Sequence, residues 1–237
     1  MKGKILIIFA METEKEKKGN IYGVLAIAYA LIQYLWAVVI TVYYRRSGML
    51  EYITSPDGYI PLFFANLTLA FPMLIVFLGS FIRYRRRFGA EMDYIKTDRY
   101  VLTLILTTVY TFMLPLSVVL SPVPTKGAYA WFYYIFFIAF FEEFLYRGLV
   151  ENLMERSNFP KWLKFVLPAL LYGLYQTALP LGRSGLSLSV FISTLPDIIF
   201  SLVMHNVLLA ARKWSGAMWL PIIIHAILEN ALYLIFA

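Results

Sequence analysis

With 237 residues of which 61% are hydrophobic, 18% aromatic and only 15% charged, the chain holds more apolar side chain than a water-soluble core of its length can bury. It reads as an integral, multi-pass membrane protein of the cell membrane. The absence of cysteine excludes disulfide frameworks, thiolate nucleophiles, iron–sulfur clusters and cysteine zinc sites. A net charge of +7 leaves a choice between a nucleic-acid footprint and membrane topology.

The first residues combine a short apolar run, MKGKILIIFA, with a charged stretch, METEKEKKGN, and read as a cytoplasmic tail over 1–20 that touches the membrane surface. About seven apolar spans follow, at 21–43, 60–82, 100–121, 128–150, 162–182, 186–211 and 214–237, each near the ~20 residues that cross about 30 Å of hydrocarbon. The expected fold is therefore all-α, a polytopic bundle of membrane helices. Sixteen basic residues fall in the N-terminal stretch and the second, fourth and sixth connections, against four in the others, with Arg147 inside span four. By the positive-inside rule the N-terminus is cytoplasmic and the C-terminus outside. The basic charge is accounted for by topology and by membrane lipids, and no nucleic-acid partner is called for.

Spans one to three carry no ionisable side chain away from their ends, which makes 21–127 a three-helix, lipid-facing wall within a single membrane domain. Spans four to seven carry Glu142, Glu143, Arg147, Asp197, His205, His225 and Glu229, with the amides Gln176, Asn206 and Asn230. An ionisable group in hydrocarbon costs about 2.5–3.5 kcal/mol even on insertion scales, so such a set in one half of the chain implies a polar cavity within 128–237. The sharpest local signal is the run Phe141-Glu142-Glu143-Phe144-Leu145-Tyr146-Arg147-Gly148. On a helix Glu143 and Arg147 share a face at i and i+4, while Glu142 is turned about 100° away, toward the cavity. Asp197, after Pro196, marks a kink or opening in span six.

Glu-Glu-x-x-x-Arg-Gly deep in a membrane helix resembles the first motif of the CAAX prenyl endopeptidase, or CPBP, family of intramembrane proteases. The stretch Gly216-Ala217-Met218-Trp219-Leu220-Pro221-Ile222-Ile223-Ile224-His225 is similar to that family's run into a motif histidine. The resemblance covers about 128–237. It implies a glutamate endopeptidase that cuts a peptide or prenylated peptide from the cytoplasmic side, without a metal cofactor. Glu142 would be the base, Glu143 and Arg147 its support, and His225 a donor to the oxyanion. Two positions depart from the family pattern. Its Phe-x-x-x-His motif is matched by Tyr172 and Gln176, and an amide can orient water but cannot take its proton. Its His-x-x-x-Asx motif is matched by His225 and Glu229, with Asn230 one place later. On an ideal helix Glu229 shares the face of His225, so either its carboxyl is neutral, or a π-bulge brings Asn230 round, or the site does something else. His205 lies at a compatible depth to replace the missing histidine. A His/carboxylate metal set of His205, His225, Glu142 and Glu229 is the weaker option, since no His-Glu-x-x-His is present. A catalytically degenerate relative, acting as a membrane binding, immunity or assembly factor, is the alternative to an enzyme.

Overall fold

The computed structural model describes residues 2–50, 59–79, 82, 100–121 and 123–236, and among these the chain is helical, with no strand. The basic residues Arg83, Arg85, Arg86, Arg87, Lys96 and Arg99 of the second connection lie outside the described residues. Helix α1 spans Lys2–Arg46 without a break at the charged stretch, and its membrane-length part is Asn20–Arg46. Helix α2 covers Tyr59–Leu69 and resumes over 71–79, and α3 is Tyr100–Leu120. The longest helix of the second half, α4, covers Pro124–Arg156. It is followed by α5 (Lys161–Gln176), α6 (Ala178–Ser184), α7 (Leu188–Ser193), α8 (Leu195–Ser215) and α9 (Trp219–Phe236). Among the described residues five segments are long and apolar enough to cross a membrane: the Asn20–Arg46 part of α1, then α3, α4, α5 with α6, and α8; α9 adds a shorter apolar stretch, Trp219–Leu232.

The expected sixth span begins later than the hydropathy suggests. Ser187 caps the short α7 by accepting from the Val190 amide, and a new helix starts at Leu195 with Pro196 in its first turn, where the missing N–H needs no partner. Asp197 therefore sits in the first turn of a helix rather than at a kink within one. The seventh span likewise starts at Trp219 and not at 214. Gly216 at φ +71° closes α8 in the left-handed conformation that a side chain would disfavour.

The outer surface is apolar, as a lipid-facing surface must be: on α3, Phe112 is 68% and Val119 77% exposed. The interior is assembled from small residues and aromatics. Ala26 and Ala30 of α1 let that helix approach Leu145, Tyr146, Val150 and Met154 of α4 closely, and Leu171 and Tyr172 of α5 complete the cluster. The first helix is thus part of the core and not only a wall. Backbone groups freed by proline find side-chain partners, as hydrocarbon requires. Pro72 cannot donate to the Thr68 carbonyl one turn earlier, and the Trp36 indole N–H of α1 does so instead at 2.7 Å. Beside it Gln33 donates to the Leu69 carbonyl at 3.0 Å.

Candidate active site

Helix α4 departs from α geometry on both sides of its acidic pair. Tyr134–Ala139 and Glu143–Val150 are π-helical, with only Phe140–Glu142 between them as α-helix. Such wide turns are rare and concentrate at functional sites. The sequence placed a π-bulge, as one of three alternatives, near Asn230 in the last span. There α9 runs without interruption, and the irregularity lies in α4.

The two adjacent glutamates have different surroundings. Glu143, with no exposure, forms an ion pair through Oε1 with Arg147 Nη1 at 2.9 Å and lies 2.8 Å from His225 Nδ1. Arg147, equally buried, lies with its guanidinium carbon 4.1 Å from the centre of the Tyr172 ring. This joins α4, α5 and α9 through one carboxylate, one cation and two rings. An ion pair this deep is worth little as a net source of stability, but removing one member leaves the other charge buried and alone. Glu142 is spared this engagement. Its side chain walls a cavity of about 310 Å³ together with Tyr133, Phe137, Tyr175, Gln176 and Glu229. There the Gln176 amide donates to Glu142 Oε2 at 3.4 Å.

His225 is held through Nδ1 and presents Nε2 to a second cavity of about 190 Å³, which Tyr172, Ser201 and Asp197 also wall. Nε2 is 3.5 Å from the Tyr172 hydroxyl and 3.7 Å from Glu229 Oε1. Gln176 and Glu229 belong to the walls of both cavities, so the two spaces adjoin across these side chains, between the acid and the imidazole.

Eight of the nine residues singled out from the sequence divide into a linked set and one outlier. Glu142, Glu143, Arg147, Tyr172, Gln176, His225 and Glu229 are connected by the contacts above. Asn230 turns away from them: its Oδ1 accepts from Ser117 of α3 at 3.0 Å, because α9 keeps the ideal phase that puts Glu229 on the face of His225. The ninth, His205, is fully buried, and neither ring nitrogen has a hydrogen-bond partner among the described residues. Its nearest ring neighbour is Tyr172, at 6.0 Å between centroids, and it walls neither cavity. The structure does not bring His205 to either cavity: it is buried on α8, and Gln176 holds the place beside Glu142. Sequence reasoning missed Arg183, counted only as a loop charge, which walls the Glu142 cavity. It also missed Tyr133 and Tyr175, whose aromatic character was not separable from the many other rings of these spans. Among the described residues no group of three or more His, Asp and Glu is arranged to hold a metal.

No curated protein and no solved structure matches the chain. Residues 124–231 match the family model described as type II CAAX prenyl endopeptidase Rce1-like, a stretch that contains the whole linked set from Glu142 to Glu229. That segment is similar to the CAAX protease family, and the chain is an integral membrane protein of several helices.

Proposed function

We propose that this protein is an intramembrane endopeptidase that hydrolyses a peptide or lipidated peptide with a water activated by Glu142. The observation that carries this reading is the unequal treatment of the glutamate pair. Glu143 is committed to Arg147 and His225, while Glu142 faces a cavity large enough for a peptide segment. Glu142 takes the proton of a water that the Gln176 amide helps to orient, and the resulting hydroxide attacks the scissile carbonyl where the cavities adjoin. His225, fixed by Glu143 through Nδ1, offers Nε2 to the developing oxyanion in its cationic form, and the Tyr172 hydroxyl adds a second donor. Glu229, 35% exposed and one turn after His225, supports that cation. Glu142 then returns its proton to the leaving amine.

The test is cleavage of a fluorogenic peptide by the purified, membrane-reconstituted protein. Glu142→Gln keeps the shape of the side chain and removes the base, and is expected to slow cleavage by about 10²–10⁴-fold. Undiminished cleavage by this variant sinks the reading.

Gln176 itself favours a second reading, a family member that binds peptides without cutting them, since an amide beside Glu142 cannot share its proton. The same variant separates the two. If Glu142→Gln leaves the protein's cellular effect intact, binding and not hydrolysis is the function.

A further inference from the structure

His205 is a polar side chain that the proposed chemistry leaves unused. It sits fully buried at the middle of α8, and neither ring nitrogen has a hydrogen-bond partner among the described residues. A neutral imidazole carries one donor and one acceptor, and an imidazolium two donors, so in every form both nitrogens call for a partner. Lipid supplies none, and a membrane interior loses free energy for each such group left dry.

The packing of α8 on α5 shows where a partner comes from. Gly173 of α5 lets α8 approach closely: a Cβ there would stand 3.1 Å from the Ile198 side chain and 3.2 Å from its carbonyl oxygen. The face of α8 that begins at Ile198 continues through Ser201 to His205, at i+3 and i+7. Tyr172 of α5 lies against that face, its ring centre 6.0 Å from that of His205 and 6.5 Å from that of His225. Tyr172, Ser201 and Met204 are also walls of the His225 cavity, a space of about 190 Å³. His205 therefore stands one helical turn, about 6 Å, past the Ser201 wall of that cavity.

Other unmet polar atoms gather around the same Tyr172 ring. Tyr146, with its ring centre 5.0 Å from that of Tyr172, has a buried hydroxyl without a partner among the described residues. Arg147 is ion-paired with Glu143, but its Nε and Nη2 have no hydrogen-bond partner there either. The Arg147 guanidinium carbon is 4.1 Å from the Tyr172 ring centre, which puts it no more than about 10 Å from the centre of the His205 ring. Hydrogen bonds of about 2.8 Å let one or two waters span what separates their nitrogens. A buried water satisfies about three polar groups at once, and donors and acceptors of this kind are what holds one.

We propose that His205 holds a buried water site that extends the His225 cavity by one turn of α8, and that through this water it steadies the Arg147 guanidinium against Glu143. His205 is then a positioning residue: it acts on Arg147, Arg147 on Glu143, and Glu143 on His225 Nδ1. The effect on peptide cleavage rests on the protease reading above, whereas the water site does not.

The chain holds two histidines, so the full-length protein labelled with ¹⁵N-histidine in lipid bilayers gives ring signals from His205 and His225 alone. Signals missing in His205→Gln are those of His205. The expected result is a His205 ring N–H that correlates with water protons and exchanges in D₂O without unfolding. A ring N–H that shows no contact with water and stays protected overturns the inference. The positioning role is read by comparing His205→Leu, which cannot bond water, with His205→Gln, which can. In His205→Leu the His225 Nδ1 signal is expected to shift and kcat for peptide cleavage to fall about 10–100-fold at nearly constant KM. In His205→Gln both are expected to stay near wild type. An unmoved His225 signal in His205→Leu, or equal effects of the two variants, overturns that role. Should His205→Leu fail to accumulate, His205→Phe, a ring without polar atoms, takes its place, and the wild-type ring decides hydration in either case. A wild-type protein that cleaves no peptide sinks the protease reading alone, because neither the water contact nor the His225 signal depends on turnover.

Discussion

Arg147 and Glu143 illustrate how a residue can be indispensable to a site without touching its chemistry. Replacing Arg147 by Met fills similar volume but leaves the Glu143 carboxylate buried beside His225 without its cation. Breaking a buried pair in this way is expected to destabilise the protein by about 3–5 kcal/mol. Thermal unfolding in detergent reads the loss, and the double variant Arg147→Met with Glu143→Gln should recover a substantial part of it. Additive losses would mean that the pair is not the hub described above. Gln176→His tests the departure beside Glu142 in the opposite direction. A ring able to accept a proton at the 3.4 Å position is expected to raise the rate of peptide cleavage, measured in the same reconstituted assay, and an unchanged or lower rate would show that the amide is not what limits the step. At this scale the sequence was informative where chemistry depends on local spacing: the helical offset between Glu142 and Glu143 is enough to send one into the cavity and the other onto Arg147. It was uninformative where the partner lies far along the chain. Nothing near Asn230 in sequence announces Ser117, and nothing near His205 shows that its turn faces a packed helix.

At the scale of elements, the helices hold one another through backbone groups that their own irregularities release. The Trp36 indole satisfies the carbonyl that Pro72 abandons, so Trp36→Phe is expected to cost about 1–3 kcal/mol, the penalty for a buried acceptor left without a donor. Thermal unfolding measures it, and equal stability would mean that the Thr68 carbonyl finds another donor. Helices α3 and α4 are clasped reciprocally, Tyr110 donating to the Trp131 carbonyl at 2.5 Å and Trp131 to the Tyr110 carbonyl at 2.8 Å. Gly127 allows that approach, because a Cβ there would collide with the Ser117 carbonyl. Gly127→Ala is therefore expected to push α3 away and to weaken the neighbouring Ser117 bond to Asn230, lowering the thermal midpoint without reaching the cavities. A wild-type midpoint would contradict so close a crossing. Hydropathy located the helices because apolar length is a one-dimensional property. It blurred the breaks at Thr194 and Gly216, where capping and backbone handedness, not hydrophobicity, decide the end of a helix.

For the whole molecule the question is whether 128–237 is a self-sufficient core beside a passive wall. The contacts argue for dependence. Ala26, Ala30 and Met73 sit inside the cluster that backs Leu145, Tyr146 and Tyr172, and Ala37, Asn66 and Leu69 help to wall the Glu142 cavity. Thr41 fills the space that a side chain on Gly182 would need. In lipid, helices separate without losing hydrophobic burial, so what binds the first helices to the rest is packing of this kind and the few interhelical hydrogen bonds, such as Asn66 to the Tyr129 hydroxyl at 3.0 Å. Expression of the chain in two pieces, divided between Ser121 and Pro124, tests the dependence. The pieces are expected to co-purify as a complex, and the C-terminal piece alone is expected to be degraded or to lose peptide cleavage. A C-terminal piece that accumulates and cleaves on its own would make the first three helices the passive wall that their composition suggests. Co-purification with full activity would instead show that the cavity is built by two halves, only one of which carries the stretch that matches the family model.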